Sequence, residues 1–246
     1  MDRKEFMRSV YSGYWIGARD KIYGFMPYDR RLCEYLSGEL ASGGAVLEVA
    51  IGTGYPVADY LQKAGYRVHG VDIAPALVQR CRELNPGIDA EVGDAENLRF
   101  ADGEFDATYC FHSSWYFPDL NRVVGEMLRV TRPGGLVMFD IQNAANPAVA
   151  AAYQHRLAAV RPGVLPRLNL HARNLAKLVL RRGTPNWHAI NYEVPTDPTG
   201  VLEYLRRSGR DNVVVLARDE TDQTLQKVDN LATLPDYPRL VFAIHA

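Results

Sequence analysis

Apolar and polar positions along this 246-residue chain change period several times, and the changes mark out its elements. Between residues 44 and 142, short apolar runs alternate with helix-periodic stretches. Ala45–Ile51 is a run of the length expected for a buried strand, with glycines following at 52 and 54. Pro56 then suits the first turn of a helix reaching Lys63. Tyr66–Asp72 predicts a second strand and Pro75–Leu84 its helix; Ile88–Asp94 and Phe105–Phe111 predict two more strands. Leu120, Val123, Val124, Met127 and Leu128 fall on one face of an amphipathic helix. Arg132-Pro-Gly-Gly135 stops that helix, and Leu136–Ile141 predicts a fifth strand. Such alternation implies a parallel sheet covered on both faces, with ligands at the carboxyl ends of its strands.

The flanks read differently. Residues 1–43 are helical in pattern and rich in aromatics (Phe6, Tyr11, Tyr14, Trp15, Tyr23, Phe25, Tyr28, Tyr35), closing at Ser42-Gly43-Gly44. After the fifth strand, Pro147–Val160 and Pro166–Arg182 predict helices, Trp187–Val194 an extended stretch, and Val201–Arg207 a helix ended by Gly209. Asn212–Ala217 and Leu240–His245 predict two closing strands. The domain limits that follow are a helical N-terminal cap at 1–43, a core at 44–142, a substrate region at 143–210, and closing strands of the same sheet at 211–246.

Composition narrows the function classes. A hydrophobic fraction of 47% suffices for a core and argues against disorder. With 28 basic and 29 acidic residues the net charge is −1, so no global field draws in nucleic acid or an anionic membrane. Cys33, Cys81 and Cys110 are scattered without a CxxC spacing, which predicts neither structural disulfides nor a cysteine zinc site. The chain starts on charged residues (Asp2, Arg3, Lys4, Glu5) and has no apolar run long enough to span a bilayer. The expectation is a cytoplasmic protein, monomeric or homodimeric, with no metal, nucleic-acid or membrane partner.

The candidate chemistry centres on Gly52-Thr53-Gly54, between the first strand and its helix. Glycine there lets backbone approach a ligand closely. A P-loop needs Gly-Lys-Ser/Thr after its glycines, and Tyr55-Pro56 stands there instead. A dinucleotide fingerprint counted from Gly52 needs a third glycine where Val57 stands, which counts against a nicotinamide or flavin. The third reading places an acid inside the first strand, where Glu48 suits the ammonium of a bound amino acid. Asp72 ends the second strand, where an acid accepts hydrogen bonds from ribose hydroxyls. Asp94, after the third strand, suits the exocyclic amine of an adenine.

Together these segments resemble the class I SAM-dependent methyltransferases of the small-molecule branch, the type 11/25-like group. Leu47-Glu-Val-Ala-Ile-Gly-Thr-Gly54 is similar to the family's glycine motif, and Val71-Asp-Ile73 to its acidic strand end. Gly93-Asp-Ala-Glu-Asn-Leu-Arg-Phe100 with Phe105-Asp106, and Leu128-Arg-Val-Thr-Arg-Pro-Gly-Gly135, resemble two further segments in the same order. Ala50 stands where many members have glycine, although alanine also occurs there. The resemblance covers roughly residues 44–142. It implies a doubly wound Rossmann-like α/β fold, a seven-stranded sheet with an antiparallel last strand, a helical N-terminal cap and an insertion after strand five. It also implies S-adenosyl-L-methionine (SAM) as cofactor. Glu48, Ala50, Gly52 and Gly54 would then contact its methionine moiety and sugar. Asp72 would hold the ribose and Ile73 the adenine face; Asp94 and Ala95 would read the adenine edge. Phe111 and His112 would lie near the sulfonium.

Methyl transfer is a displacement with a good leaving group, so positioning supplies much of the rate, while a hydroxyl acceptor must lose a proton to a base. His112 is the leading catalytic candidate, with a hydrogen-bonded wall residue as its alternative role; Ser113, Ser114, Trp115 and Tyr116 are expected beside it. His155, His171 and His188 fall in the acceptor region with no metal-binding spacing, and His69 and His245 are expected to be structural. Tyr11, Tyr14, Trp15 and Tyr23 are expected either to cover the cofactor, with Arg19 near its carboxylate, or to pack as core. The basic run Arg161, Arg167, Arg173, Lys177, Arg181 and Arg182 reads as a solvated helix face, with docking to an anionic surface as the alternative. The expected function is methyl transfer to a small-molecule oxygen or nitrogen, in secondary metabolism. The alternatives are cleavage or cyclisation of SAM's aminobutyrate arm, releasing methylthioadenosine, and a SAM-binding protein without catalysis.

Overall fold

A computed structural model describes residues 3–8, 24–159, 172, 175, 193–219 and 223–246. Its centre is a single sheet in the order β3-β2-β1-β4-β5-β8-β6-β7. The strands are β1 (Ala45–Val49), β2 (Arg67–Asp72), β3 (Asp89–Val92), β4 (Phe105–Cys110), β5 (Thr131–Gln142), β6 (Val213–Arg218), β7 (Leu225–Lys227) and β8 (Arg239–His245). β1 to β5 pair in parallel, while β8 inserts antiparallel between β5 and β6. The order reverses at β1, with β2 on one side and β4 on the other, and ligands bind at such a switch point.

The predicted strands reappear with small shifts, and an eighth is added to the expected seven. β7 is a three-residue edge strand whose Gln226 and Lys227 are exposed, so it carries no alternation to read. β5 starts earlier than expected, at Thr131, because the Arg132-Pro-Gly-Gly135 turn is held against the sheet as an irregularity in the β4–β5 register. Gly134 N–H donates to Ala246 O at 2.8 Å, and Thr131 Oγ1 lies 2.9 Å from Thr108 Oγ1.

Seven α-helices are described: α1 (Arg3–Phe6), α2 (Pro27–Gly38), α3 (Val57–Lys63), α4 (Pro75–Leu84), α5 (Leu120–Val130), α6 (Pro147–Ala159) and α7 (Pro198–Arg207). α4 matches its predicted limits, with Pro75 in the first turn. α7 begins three residues before its predicted start, because the Asp197 carboxylate caps it by accepting from Thr199 N and Gly200 N. α5 and α7 cover one face of the sheet, packing Val124, Met127, Val201 and Leu205 against Val137, Phe139 and Phe242. α2, α3 and α4 cover the other face, packing Leu32, Leu36, Leu61 and Val78 against Val46, Ala107, Tyr109 and Met138. Within the region expected as a cap, α2 is therefore a layer of the core.

Period-2 alternation decides what reaches the site. On β5, Val137, Phe139 and Ile141 face α5, so Leu136, Met138 and Asp140 face α2. On β8, Arg239 shares the face of Val241 and Ala243 and is opposite Gln142, at the carboxyl end of β5. A buried acid and an arginine thus lie side by side under Tyr28 of α2. Cys33, Cys81 and Cys110 are separate buried thiols.

Candidate active site

The glycine loop leaves β1 through residues of positive φ: Ala50 at 60°, Gly52 at 58° and Gly54 at 80°. Ala50 holds that angle despite its Cβ, a conformation costing about 1–2 kcal/mol for residues other than glycine. The loop is tied to β2, since Ile51 N–H donates to Val71 O and Gly52 N–H donates to Asp72 Oδ2 at 2.9 Å. Ala74 N–H donates to Asp72 Oδ1, also at 2.9 Å. Burial pushes the Asp72 carboxyl above the usual aspartate range, against the pull of the Ala74, Gly52 and Ile73 amides. One lone pair on each oxygen is taken by backbone, leaving each oxygen able to accept from a neighbouring diol.

A cleft opens at the carboxyl ends of β1, β2 and β3. Of the expected contacts, Ala50, Gly52, Asp72, Ile73, Asp94, Ala95 and His112 line it. Glu48, Gly54 and Phe111 lie behind its wall. Glu48 is 7% exposed and accepts from Tyr109 Oη at 3.2 Å. Phe111 is buried in the α2-side core against Tyr109. A Cβ on Gly54 would meet Cys81 Sγ at 2.8 Å and Asn85 Nδ2 at 2.9 Å, so this glycine lets α4 close on the loop. Gly54→Ala is therefore expected to cost about 2–4 kcal/mol, from positive φ and overpacking together, measured as a lowered thermal midpoint.

Asp94 is engaged from two sides: Oδ1 accepts from Glu96 N at 3.0 Å, and Lys4 Nζ donates to Oδ2 at 2.7 Å. Lys4 also donates to Glu96 Oε2 at 2.7 Å, and Arg3 donates to Phe117 O. Burial raises the Asp94 pKa, but the Lys4 and Glu96 hydrogen bonds outweigh it and hold the carboxyl below the usual range. Lys4 and Met7 line the cleft, so the first helix closes on the Asp94 loop. Tyr11, Tyr14, Trp15, Arg19 and Tyr23, expected at that place, lie outside the described residues, as do His171, His188, the basic run and most of Trp187–Val194. Ser113 and Tyr116 line the cleft, while Ser114 and Trp115 are buried beneath it; His155 is exposed on α6.

His112, at φ 60°, is held on every side. Its N–H donates to Asp140 Oδ1 at 2.8 Å. Its ring nitrogens meet Asp29 Oδ1 at 2.6 Å through Nε2 and Arg239 Nη1 at 2.8 Å through Nδ1. A guanidinium only donates, so Nδ1 accepts and Nε2 carries the proton given to Asp29. Arg239 Nη1 also reaches Asp140 Oδ2 at 3.3 Å. Asp29, Asp140 and Arg239 were missed in the sequence because they lie 83, 28 and 127 residues from His112. The one local sign was an acid inside the apolar run Leu136–Ile141.

The residues fit a SAM-sized nucleoside. Thr53 Oγ1 is a buried hydroxyl without a hydrogen-bond partner among the described residues, in a residue lining the cleft. Such an atom costs free energy unless a ligand satisfies it. Ile73, Leu77 and Ala95 supply apolar wall next to Asp72.

Residues 47–139 match the family described as methyltransferase domain. A methyltransferase from Streptomyces halstedii, GfsG, is 32% identical over 148 residues, covering 56% of this chain and 53% of its own. The 2-methyl-6-phytyl-1,4-hydroquinone methyltransferase of a Synechocystis strain is 35% identical over 102 residues, covering 40% and 32%. The chain thus spans between about a third and a little over half of these relatives. A solved SAM-dependent methyltransferase from Thermotoga maritima superposes with a TM-score of 0.55 at 14% identity, covering 98% of this chain and 96% of that one, a likeness of fold.

Proposed function

We propose that this chain, whose core at 47–139 belongs to the class I SAM-dependent methyltransferases, transfers the SAM methyl group to an oxygen or nitrogen of a small molecule. The observation that carries the reading is Asp72, buried at the end of β2 with each oxygen fixed by a backbone amide and the cleft in front of it. SAM, when bound, supplies an electrophilic methyl on a sulfonium. Asp72 would accept from the ribose hydroxyls, Thr53 Oγ1 would find its missing partner, and Ile73, Leu77 and Ala95 would enclose the base. Asp94 would turn toward the adenine amine in exchange for Lys4. Glu48, behind the loop, would place negative charge toward the ammonium of the methionine arm.

We assign His112 to the wall between cofactor and acceptor. With Nδ1 occupied by Arg239 and Nε2–H given to Asp29, it orients rather than abstracts; for it to serve as a base, Arg239 must first release Nδ1. The name of the Synechocystis relative, a hydroquinone methyltransferase, supports a small-molecule acceptor, and a place in secondary metabolism is part of the proposal.

The test is mass spectrometry of the products formed from trideuteromethyl-SAM with and without a metabolite extract. Extract-dependent S-adenosylhomocysteine (SAH) with a labelled small molecule is the expected result. Methylthioadenosine formed from SAM alone would instead favour cleavage or cyclisation of the aminobutyrate arm, and SAM binding without turnover a non-catalytic role.

A further inference from the structure

We infer that Arg239 determines acceptor specificity by binding a carboxylate on the small molecule that receives the methyl group. This inference rests on the methyltransferase reading above. Arg239 opens β8, opposite Gln142, which places it at the carboxyl end of the sheet beside His112, a residue of the cleft wall. Its guanidinium is fixed by protein groups. Nη1 donates to His112 Nδ1 and Asp140 Oδ2, and Cζ lies 4.9 Å from the Trp115 ring centre and 5.6 Å from that of Tyr28. A side chain held this way loses little further freedom when a ligand arrives.

Among the described residues all of its hydrogen bonds run through Nη1. Nε and Nη2 have no hydrogen-bond partner among the described residues, and the side chain is 20% exposed. These two nitrogens form one edge of the guanidinium, with parallel N–H groups spaced to meet both oxygens of a carboxylate. Arg218 is a second cation on the same Tyr28 ring, its Cζ 5.4 Å from the ring centre. His112, bonded to Arg239 and lining the cofactor cleft, would stand between an acceptor carboxylate and that cleft.

The test uses hydroxy acids paired with their own primary amides: 4-hydroxybenzoate, 4-hydroxyphenylacetate and 3-hydroxybutyrate. Binding to the full chain is measured by ligand-observed NMR titration, with and without saturating SAH. In the wild type at least one acid is expected to bind about tenfold more tightly than its amide, the size of a charge-assisted bidentate contact. That ratio should fall to about threefold or less in Arg239→Gln, with Arg239→Lys between the two, because lysine keeps the charge and loses the fork. The wild-type ratio needs no variant, so a poorly folding Arg239→Gln leaves the test readable. The inference is overturned if no acid is preferred over its amide, or if the preference survives in Arg239→Gln. Calorimetry of SAH on the same preparation reports the cofactor reading separately: failure of SAH to bind removes that reading, and the acid-to-amide ratio still judges Arg239.

Discussion

Asp72→Ala is expected to raise the dissociation constant for SAH by roughly a hundredfold or more, measured by calorimetry on the folded variant. On the proposed reading the substitution would remove two charge-assisted hydrogen bonds to the ribose, each worth about 1.5–3 kcal/mol. It also frees the amides of Gly52 and Ala74, which now hold the glycine loop against β2. Asp72→Asn tests the second effect, since its single carbonyl oxygen can satisfy one of those amides and its NH₂ faces the other. Its affinity should fall nearly as far as that of Asp72→Ala. A dissociation constant within about threefold of wild type for both variants would remove Asp72 from the site.

The same carboxyl gives a pH signature of known sign. Burial raises its folded pKa above 3.8, so affinity for SAH should start to fall, on acidification, at a pH above 3.8 where an ordinary aspartate is still ionised. Its effect on stability is opposite. Between 3.8 and the raised value the folded state holds the proton more tightly than the unfolded state. The resulting stabilisation is complete below 3.8 and is lost as pH rises through the folded pKa. Asp72→Asn should flatten both dependences, which thermal melts and calorimetry across acid pH would measure.

The cofactor half of the site was legible because local pattern generates it. The largely apolar run Ala45–Ile51 followed by glycines, and an acid at the end of the next strand, are each readable within a few residues. Parallel pairing of β1 and β2 then brings Gly52 to Asp72 without further information. Helix α5 was equally plain, since Val123, Val124, Met127 and Leu128 recur with the helical period and all face one core. Of the cluster around His112, only His112 itself was legible. Asp29, Asp140 and Arg239 come from a helix and two strands, and only packing α2 on the β5–β8 pair brings them to it. Lys4 meets Asp94 from 90 residues away, an ion pair with no period to announce it. Glu48 and Gly54 were noticed for contact with a ligand, yet each also serves packing behind the loop, against Tyr109 and Cys81 respectively.

Asp140→Ala should have the largest effect on stability. The carboxylate is 0% exposed and accepts from His112 N at 2.8 Å, Arg239 Nη1 at 3.3 Å and Tyr28 Oη at 3.5 Å. Removing it leaves the amide of a residue at positive φ without its acceptor, and a largely buried guanidinium without its carboxylate partner, bonded only to the neutral His112 Nδ1. Breaking a buried pair from one side costs about 3–5 kcal/mol. Because Arg239 keeps some solvent contact, the lower end applies, and a midpoint about 6–12 °C below wild type is expected for a domain of this size. The cause can be separated from simple loss of packing. If the stranded charge dominates, Asp140→Ala with Arg239→Met should be more stable than Asp140→Ala alone, with a coupling of about 1–3 kcal/mol in the double-mutant cycle. If the freed His112 amide dominates, the second substitution recovers nothing, while Asp140→Asn, which keeps an oxygen for that amide, recovers most of the loss. A midpoint within about 2 °C of wild type in Asp140→Ala would mean that the loop carrying His112 is held by other contacts, and Asp140 would cease to be the anchor on which the orientation of both His112 and Arg239 depends.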